Sequence, residues 1–130
     1  MSDYAVKRID EMEAVYGGAF KRARAELGVE AFGMQIIDMP SNFDGYPEHD
    51  HAEDGQEEVF IALRGGGEIE IAGERFPLDG DHVARVASGT MRKVWPGDDG
   101  IRLLVLGGKP GGVYDAPEIS KLGAPDPMAS

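Results

Sequence analysis

Short segments that alternate between apolar and polar residues fill the middle of the chain, from about residue 31 to 107. They are separated by groups such as Ala72-Gly73 and Asp79-Gly80-Asp81, which can reverse a chain tightly. Gly65-Gly66-Gly67 is interpreted as a hairpin loop, because the residues 68–71 that follow alternate as a strand. Short strands at near-regular spacing predict an all-β sandwich or barrel. The predicted strands are 31–39, 48–52, 57–64, 68–72, 74–78, 82–86, 90–95 and 101–106.

The two ends of the chain have other patterns. Residues 1–30 predict a helical extension that ends at Gly28, with Gly17-Gly18 dividing it into two short helices. Residues 108–130 are rich in Gly and Pro and predict an irregular tail over the barrel. We therefore expect one domain over residues 1–130, with the β-barrel at 31–107. The helical signal is a recurrence of apolar residues at steps of three and four: Ile9, Met12, Tyr16, Phe20, Ala23 and Leu27.

Charge and composition exclude several classes of function. Thirteen Lys and Arg residues against 24 Asp and Glu give a formal net charge of -11, which repels nucleic-acid backbones and anionic lipid surfaces. We therefore expect no nucleic-acid partner and no membrane partner. Cysteine is absent, the first residues lack the apolar segment of a signal peptide, and no stretch approaches membrane-spanning length. These features predict a cytoplasmic protein.

The candidate chemistry is concentrated in a pair of histidines and one glutamate. In an extended strand, His49 and His51 would point to the same side, about 7 Å apart. A neighbouring strand that begins at Glu58 can add a carboxylate, which completes a two-His-one-carboxylate set suited to Fe(II), Mn, Ni or Zn. The remaining histidine, His82, is expected to anchor a loop at the surface rather than to bind a metal.

Alternation along the next predicted strand favours this site over a solvated acidic turn. Glu58, Phe60 and Ala62 share one face of the strand, so a charged residue opens an otherwise apolar run. A carboxylate that enters a buried strand normally has a partner. We therefore expect His49, His51 and Glu58 to converge in one pocket.

The motifs around these residues resemble the two motifs of the cupin superfamily over roughly residues 31–107. The first motif is His49-Asp50-His51 followed by Glu58 and Gly65, and the second is Asp79-Gly80-Asp81 with residues 86–90. The resemblance implies a small antiparallel β-barrel of the jelly-roll type. It also implies that the two histidines and the glutamate bind a metal ion, and that the protein is a homodimer.

The chain departs from the cupin pattern in three places. Gly45 lies closer to His49 than is usual, the gap from His51 to Glu58 is longer, and the position of a third histidine falls on Arg92. A guanidinium stays protonated and accepts no bond, so it cannot replace an imidazole on a metal. An inward-facing Arg92 would instead bond to Glu58 and stand where a metal would.

Two functions follow, and the residues leave both open. As an enzyme, the protein would use one divalent metal ion for oxygenase-type or isomerase-type chemistry on a small anionic organic molecule; without a metal, His49 or His51 could act as a general base. As a non-enzymatic binding or sensory module, it would hold no metal, and Arg92 would pair with Glu58. In either case Arg92, Phe60 and Tyr46 are predicted to contact the small molecule. A barrel without any site is least favoured, because it leaves Glu58 unexplained.

Overall fold

Seven antiparallel strands carry the fold in the computed structural model, which describes residues 3–128. The outermost residues of the predicted domain, 1–2 and 129–130, lie outside this range. The all-β prediction is confirmed. The elements are β1 (Ala14–Val15), β2 (Phe20–Lys21), α1 (Ala23–Leu27), β3 (Gly33–Met39), β4 (Glu57–Ile71), β5 (Glu74–Leu78), β6 (Val83–Val86) and β7 (Arg92–Gly108), with 3₁₀ turns at Ile9–Glu11 and Glu118–Ser120.

Two long strands, β4 and β7, organise the sheet. Its order is β1-β2-β3-β7-β4-β5, and β6 also pairs with β4. The first part of β4 pairs with the last part of β7, and after register shifts between Ala62 and Gly67 the second part of β4 pairs with the first part of β7. Inward side chains from both parts then form one core. The core includes Phe60, Ala62, Leu103 and Val105 from the first pairing, Ile69 and Val94 from the second, and Leu78 from β5.

The predicted hairpin loop at Gly65-Gly66-Gly67 is wrong, because the glycines lie inside β4. A side chain at Gly67 would place its Cβ 2.1 Å from the carbonyl oxygen of Trp95. Glycine therefore lets the bent strands approach at the register shift. The strands predicted at 57–64 and 68–72 are one strand, as are those predicted at 90–95 and 101–106. Within the described residues the hydrogen-bonded sheet bends over the core without closing into a complete barrel.

The predicted helical extension is also largely wrong. Gly17 and Gly18 have positive φ angles, as does Tyr16, and these residues form the turn of the β1–β2 hairpin. Among the residues of this extension that the structure describes, only α1 is α-helical, and it ends at Gly28 in the left-handed conformation, as predicted. The apolar periodicity reflects packing instead, since Ile9, Met12, Ala23 and Leu27 cluster with Ile36 on the sheet. No helix in the described part of the chain is long and apolar enough to span a membrane.

The predicted strand at 48–52 is reduced to a single β-bridge between His49 and Arg92. The Asp50 carboxylate accepts a hydrogen bond from the backbone of Ala52, at 3.1 Å. Such a local hydrogen bond competes with the backbone hydrogen bonds of a β-sheet. The segment is therefore a loop attached to β7 at one point.

A buried arginine fastens the irregular carboxy-terminal tail to the amino-terminal hairpin. Arg22 is 2% exposed, and its guanidinium donates to the carbonyl oxygens of Ile119 and Ala124, each at 2.7 Å. It also donates to the Glu13 carboxylate at 2.6 Å, and Glu13 accepts from the backbone of Gly123. Three donors of one planar group thus hold two distant parts of the chain together.

Replacing Arg22 with methionine should loosen the tail while keeping side-chain volume. Losing the two carbonyl hydrogen bonds should cost about 1–3 kcal/mol of unfolding free energy, and protease cleavage after residue 110 should become faster. Chemical denaturation and limited proteolysis measure the two effects. The control is Arg85→Met, which removes an exposed pair with Glu57 and should change stability by less than about 1 kcal/mol. Equal behaviour of the two variants would show that Arg22 does not fasten the tail.

Candidate metal centre

The structure brings His49, His51 and Glu58 together, with one possible ligand atom of each within 4.8 Å of the others. Glu58 opens the inward face of β4 and is 5% exposed. The histidines lie on the loop before β4, and backbone bonds attach this loop to neighbouring segments. His49 exchanges two backbone hydrogen bonds with Arg92, at 2.8 and 3.0 Å, and the His51 amide donates to the carbonyl of Ser88 at 2.6 Å. The fold thus holds both imidazoles beside the carboxylate.

One nitrogen of each imidazole is already engaged. His49 Nδ1 lies 2.9 Å from the carbonyl oxygen of Pro47, and His51 Nδ1 lies 3.0 Å from a carboxylate oxygen of Asp54. Because these oxygens can only accept, each Nδ1 carries a proton. Nε2 is then the nitrogen available to a ligand in both residues. Such outer contacts orient metal-binding histidines in proteins.

The Nε2 atom of His51 is in an unusual environment. It is buried and lies 3.1 Å from Glu58 Oε1. An unprotonated Nε2 would direct its lone pair at a carboxylate oxygen, so the contact requires a cation between the two atoms. A hydrogen bond with Glu58, and after it one with Asp54, raises the pKa of His51, which agrees with a cation at this position. The cation can be a proton or a metal ion.

Arg92 lies behind Glu58, as the predicted pairing requires. Its Nη1 donates to Glu58 Oε1 at 3.1 Å and its Nη2 donates to the carbonyl of Ala87 at 2.7 Å. However, Arg92 is 0% exposed and does not line the cleft next to the histidines. Phe60 is likewise buried in the core. In this conformation neither residue can make the ligand contact expected from the sequence, and Arg92 acts on the site through Glu58.

A cleft of about 1080 Å³ leads to the three candidate ligands. Tyr46 lines it, with its ring centroid 5.6 Å from that of His49. Burial raises the pKa of Tyr46, so its hydroxyl remains a hydrogen-bond donor at neutral pH. Its contact with a small molecule stays a prediction. Sequence reasoning missed the walls from the two chain ends, namely the hairpin residues Tyr16 and Phe20 and the tail residues Ile119 and Met128.

His82 lies outside this group, as expected. Its Nδ1 atom is 2.7 Å from the carboxylate of Asp79 within the same turn, and the side chain is half exposed. It therefore provides a histidine of the same chemistry away from the site.

Solved structures resemble this fold. A crystal structure of a cupin protein from Bacteroides fragilis has a TM-score of 0.66 at 22% identity, and the similarity covers 90% of this chain and 93% of that chain. The chain has the cupin fold. A structure of DMSP lyases has a TM-score of 0.54 at 17% identity, covering 65% of this chain and 42% of that one.

A third structure widens the range of functions among proteins with this fold. The Cupin_2 domain of an XRE family transcriptional regulator from Enterobacter cloacae has a TM-score of 0.53 at 20% identity, covering 64% of this chain and 86% of that one. No protein-family model and no curated protein matches the chain. Because cupin folds occur in lyases and in regulators alike, the site must decide the function.

Replacing Arg92 with methionine should destabilise the protein by about 3 kcal/mol at neutral pH, because it leaves a buried carboxylate without its cation. The loss should shrink as the pH falls, because protonation of His51, whose pKa is raised, places a second cation 3.1 Å from the Glu58 carboxylate. Denaturant titrations between pH 5 and 8 measure it, with Arg85→Met as the exposed control. A loss that does not depend on pH would show that Arg92 contributes packing rather than charge.

Proposed function

We propose that this cupin binds one divalent metal ion through His49, His51 and Glu58, and that the ion binds a small organic molecule in the cleft. The observation that carries the proposal is the buried convergence of the three groups, with His51 Nε2 3.1 Å from Glu58 Oε1 and one ligand atom of each residue within 4.8 Å of the others. A metal ion would satisfy both atoms. The protonated Nδ1 atoms of the histidines support the same assignment, because they leave Nε2 as the donor atom.

The donor set defines the class of ion. Two imidazoles and one carboxylate suit Fe(II), Mn, Ni or Zn, and three protein ligands leave coordination positions open. When bound, such an ion would act as a Lewis acid on an oxygen atom of the small molecule. The fourth cupin position is Arg92, which lies beside Glu58 and adds no ligand.

The surrounding residues would position the ligands rather than carry out acid-base chemistry. Arg92 fixes the Glu58 carboxylate, and Asp54 fixes His51. Asp38 also lines the cleft, but Arg102 donates to both of its oxygens at 2.7 and 2.9 Å. The hydrogen bond with Arg102 lowers the pKa of Asp38 and makes it a poor base. Activation of the small molecule would therefore depend on the ion.

A second candidate is a metal-free binding module, which the buried contact between Arg92 and Glu58 favours. Arg92 already donates to Glu58 Oε1, and its positive charge repels a divalent ion. In this case a proton on His51 supplies the cation between Nε2 and Glu58. Both nitrogens of His51 would then be engaged, and His49 Nε2 would be the imidazole nitrogen left to contact the small molecule.

Metal titration of tag-free protein, stripped with a chelator, separates the two candidates. Calorimetry with Mn²⁺, anaerobic Fe²⁺, Ni²⁺ and Zn²⁺ should find one site per chain. His49→Ala and His51→Ala should each weaken binding at least about 100-fold, because each removes one of three ligands. The matched control, His82→Ala, should bind like the wild type.

Arg92→His provides the opposite test, since it restores the missing ligand position. If the wild type binds no ion and Arg92→His does, the metal-free module is supported. If the wild type binds one ion and the histidine variants lose it, the metal centre is supported. Retained binding in both histidine variants would contradict the assigned ligands.

A further inference from the structure

The cleft has an apolar body and one polar end. Its walls come from the amino-terminal hairpin, β3, the loop before β4 and the carboxy-terminal tail. The polar end is the group of His49, His51 and Glu58. The larger apolar side chains along the walls are Tyr16, Phe20, Ile37, Met39, Phe43 and Tyr46.

The walls offer few partners for a second charged group. No lysine or arginine lines the cleft among the residues that the structure describes. Asp38 is neutralised by Arg102 and also lies 3.1 Å from Lys21. A second carboxylate or phosphate would have to lie against apolar side chains without a cation, which is costly. Beyond the metal end, the polar side-chain groups on the walls are Gln35, Asp38 and the tyrosine hydroxyls, so a sugar would leave several of its hydroxyl groups unpaired.

Electrostatics favours a head group with a single negative charge. A bound divalent ion and Arg92 would carry three positive charges against the two negative charges of Glu58 and Asp54, so one monoanion would neutralise the centre. The whole chain carries a net charge of -11, which disfavours the approach of polyanions. Both effects select a molecule with one acidic group.

Resting on the proposed metal centre, we infer that the cleft binds hydrophobic monocarboxylates. The carboxylate lies at the metal end, and an aliphatic or aromatic body lies along the apolar walls. The cleft volume of about 1080 Å³ is far larger than a two-carbon acid would fill, and it lies at the upper end of the volumes of ligand-binding pockets. Nucleotides, sugars and polycarboxylates are disfavoured, because the walls offer few partners for their polar groups.

Phe43 is the residue that tests the apolar wall. It lies on the loop between β3 and β4, is 40% exposed, and borders the cleft. Its ring packs against Gly45, where an added Cβ would come within 2.4 Å of the ring. Phe76 on β5 is also 40% exposed but does not line the cleft. The two phenylalanines form a matched pair for substitution.

Calorimetric titration of metal-loaded protein with acetate, octanoate and octanedioate tests the inference. Octanoate should bind at least about 100-fold more tightly than acetate, because its additional methylene groups leave water. Octanedioate, of the same length, should bind at least about 10-fold more weakly than octanoate. Phe43→Ser should weaken octanoate binding about 5-fold or more and leave acetate unchanged, whereas Phe76→Ser should change neither.

Failure of this inference can be distinguished from failure of the proposed function. If metal binds but octanoate binds no more tightly than acetate, or octanedioate binds equally well, the inference is overturned and the metal centre stands. If no metal binds, the proposed function is overturned. The octanoate-to-acetate ratio in metal-free protein then decides the apolar-body assignment alone, with a ratio near one overturning it.

Discussion

The buried carboxylate of Glu58 is the constraint on which the site depends. A charge at the start of an inward strand face is stable only with compensating partners. Here Arg92 supplies one from β7 and His51 supplies another from the preceding loop. Through these contacts Glu58 connects β4, β7 and the loop before β4. The need for a cation between His51 and Glu58 follows from this arrangement.

Segments near both ends of the chain enclose the cleft beside Glu58. Arg22 holds the tail against the amino-terminal hairpin, and the backbone of Tyr16 donates to the Asp126 carboxylate at 2.9 Å. Residues from both ends then form walls of the cleft. The site thus combines a polar centre fixed by the sheet with an apolar enclosure that depends on a buried arginine. Stability of the enclosure and chemistry of the centre are set by different residues.

Local patterns in the sequence located the centre but not its enclosure. Alternation placed Glu58, Phe60 and Ala62 on one buried face, which the structure confirms. The resemblance to cupins placed Arg92 beside Glu58, which agrees with the observed contact. The first inference needed only the alternation along one strand, and the second needed the spacing of the cupin motifs. The cleft walls from residues 16–20 and 119–128 could not be found this way, because they depend on contacts between opposite ends of the chain.

Glycine was the main source of error in the predicted elements. Three consecutive glycines are compatible with a hairpin loop and with a strand that lets another backbone approach. Only the proximity of Trp95 to Gly67 distinguishes these cases, and that proximity is a long-range property. Gly17-Gly18 was read as a break between helices, although its positive φ angles form a hairpin turn. The three-to-four-residue periodicity there reflects packing on one side of an irregular segment.

Anomalous diffraction from crystals grown with the metal ion tests the central claim most directly. We expect one anomalous peak per chain within about 2.0–2.3 Å of His49 Nε2, His51 Nε2 and a Glu58 oxygen. A peak elsewhere, or no peak beside these three residues in crystals soaked with excess metal, would contradict the metal centre.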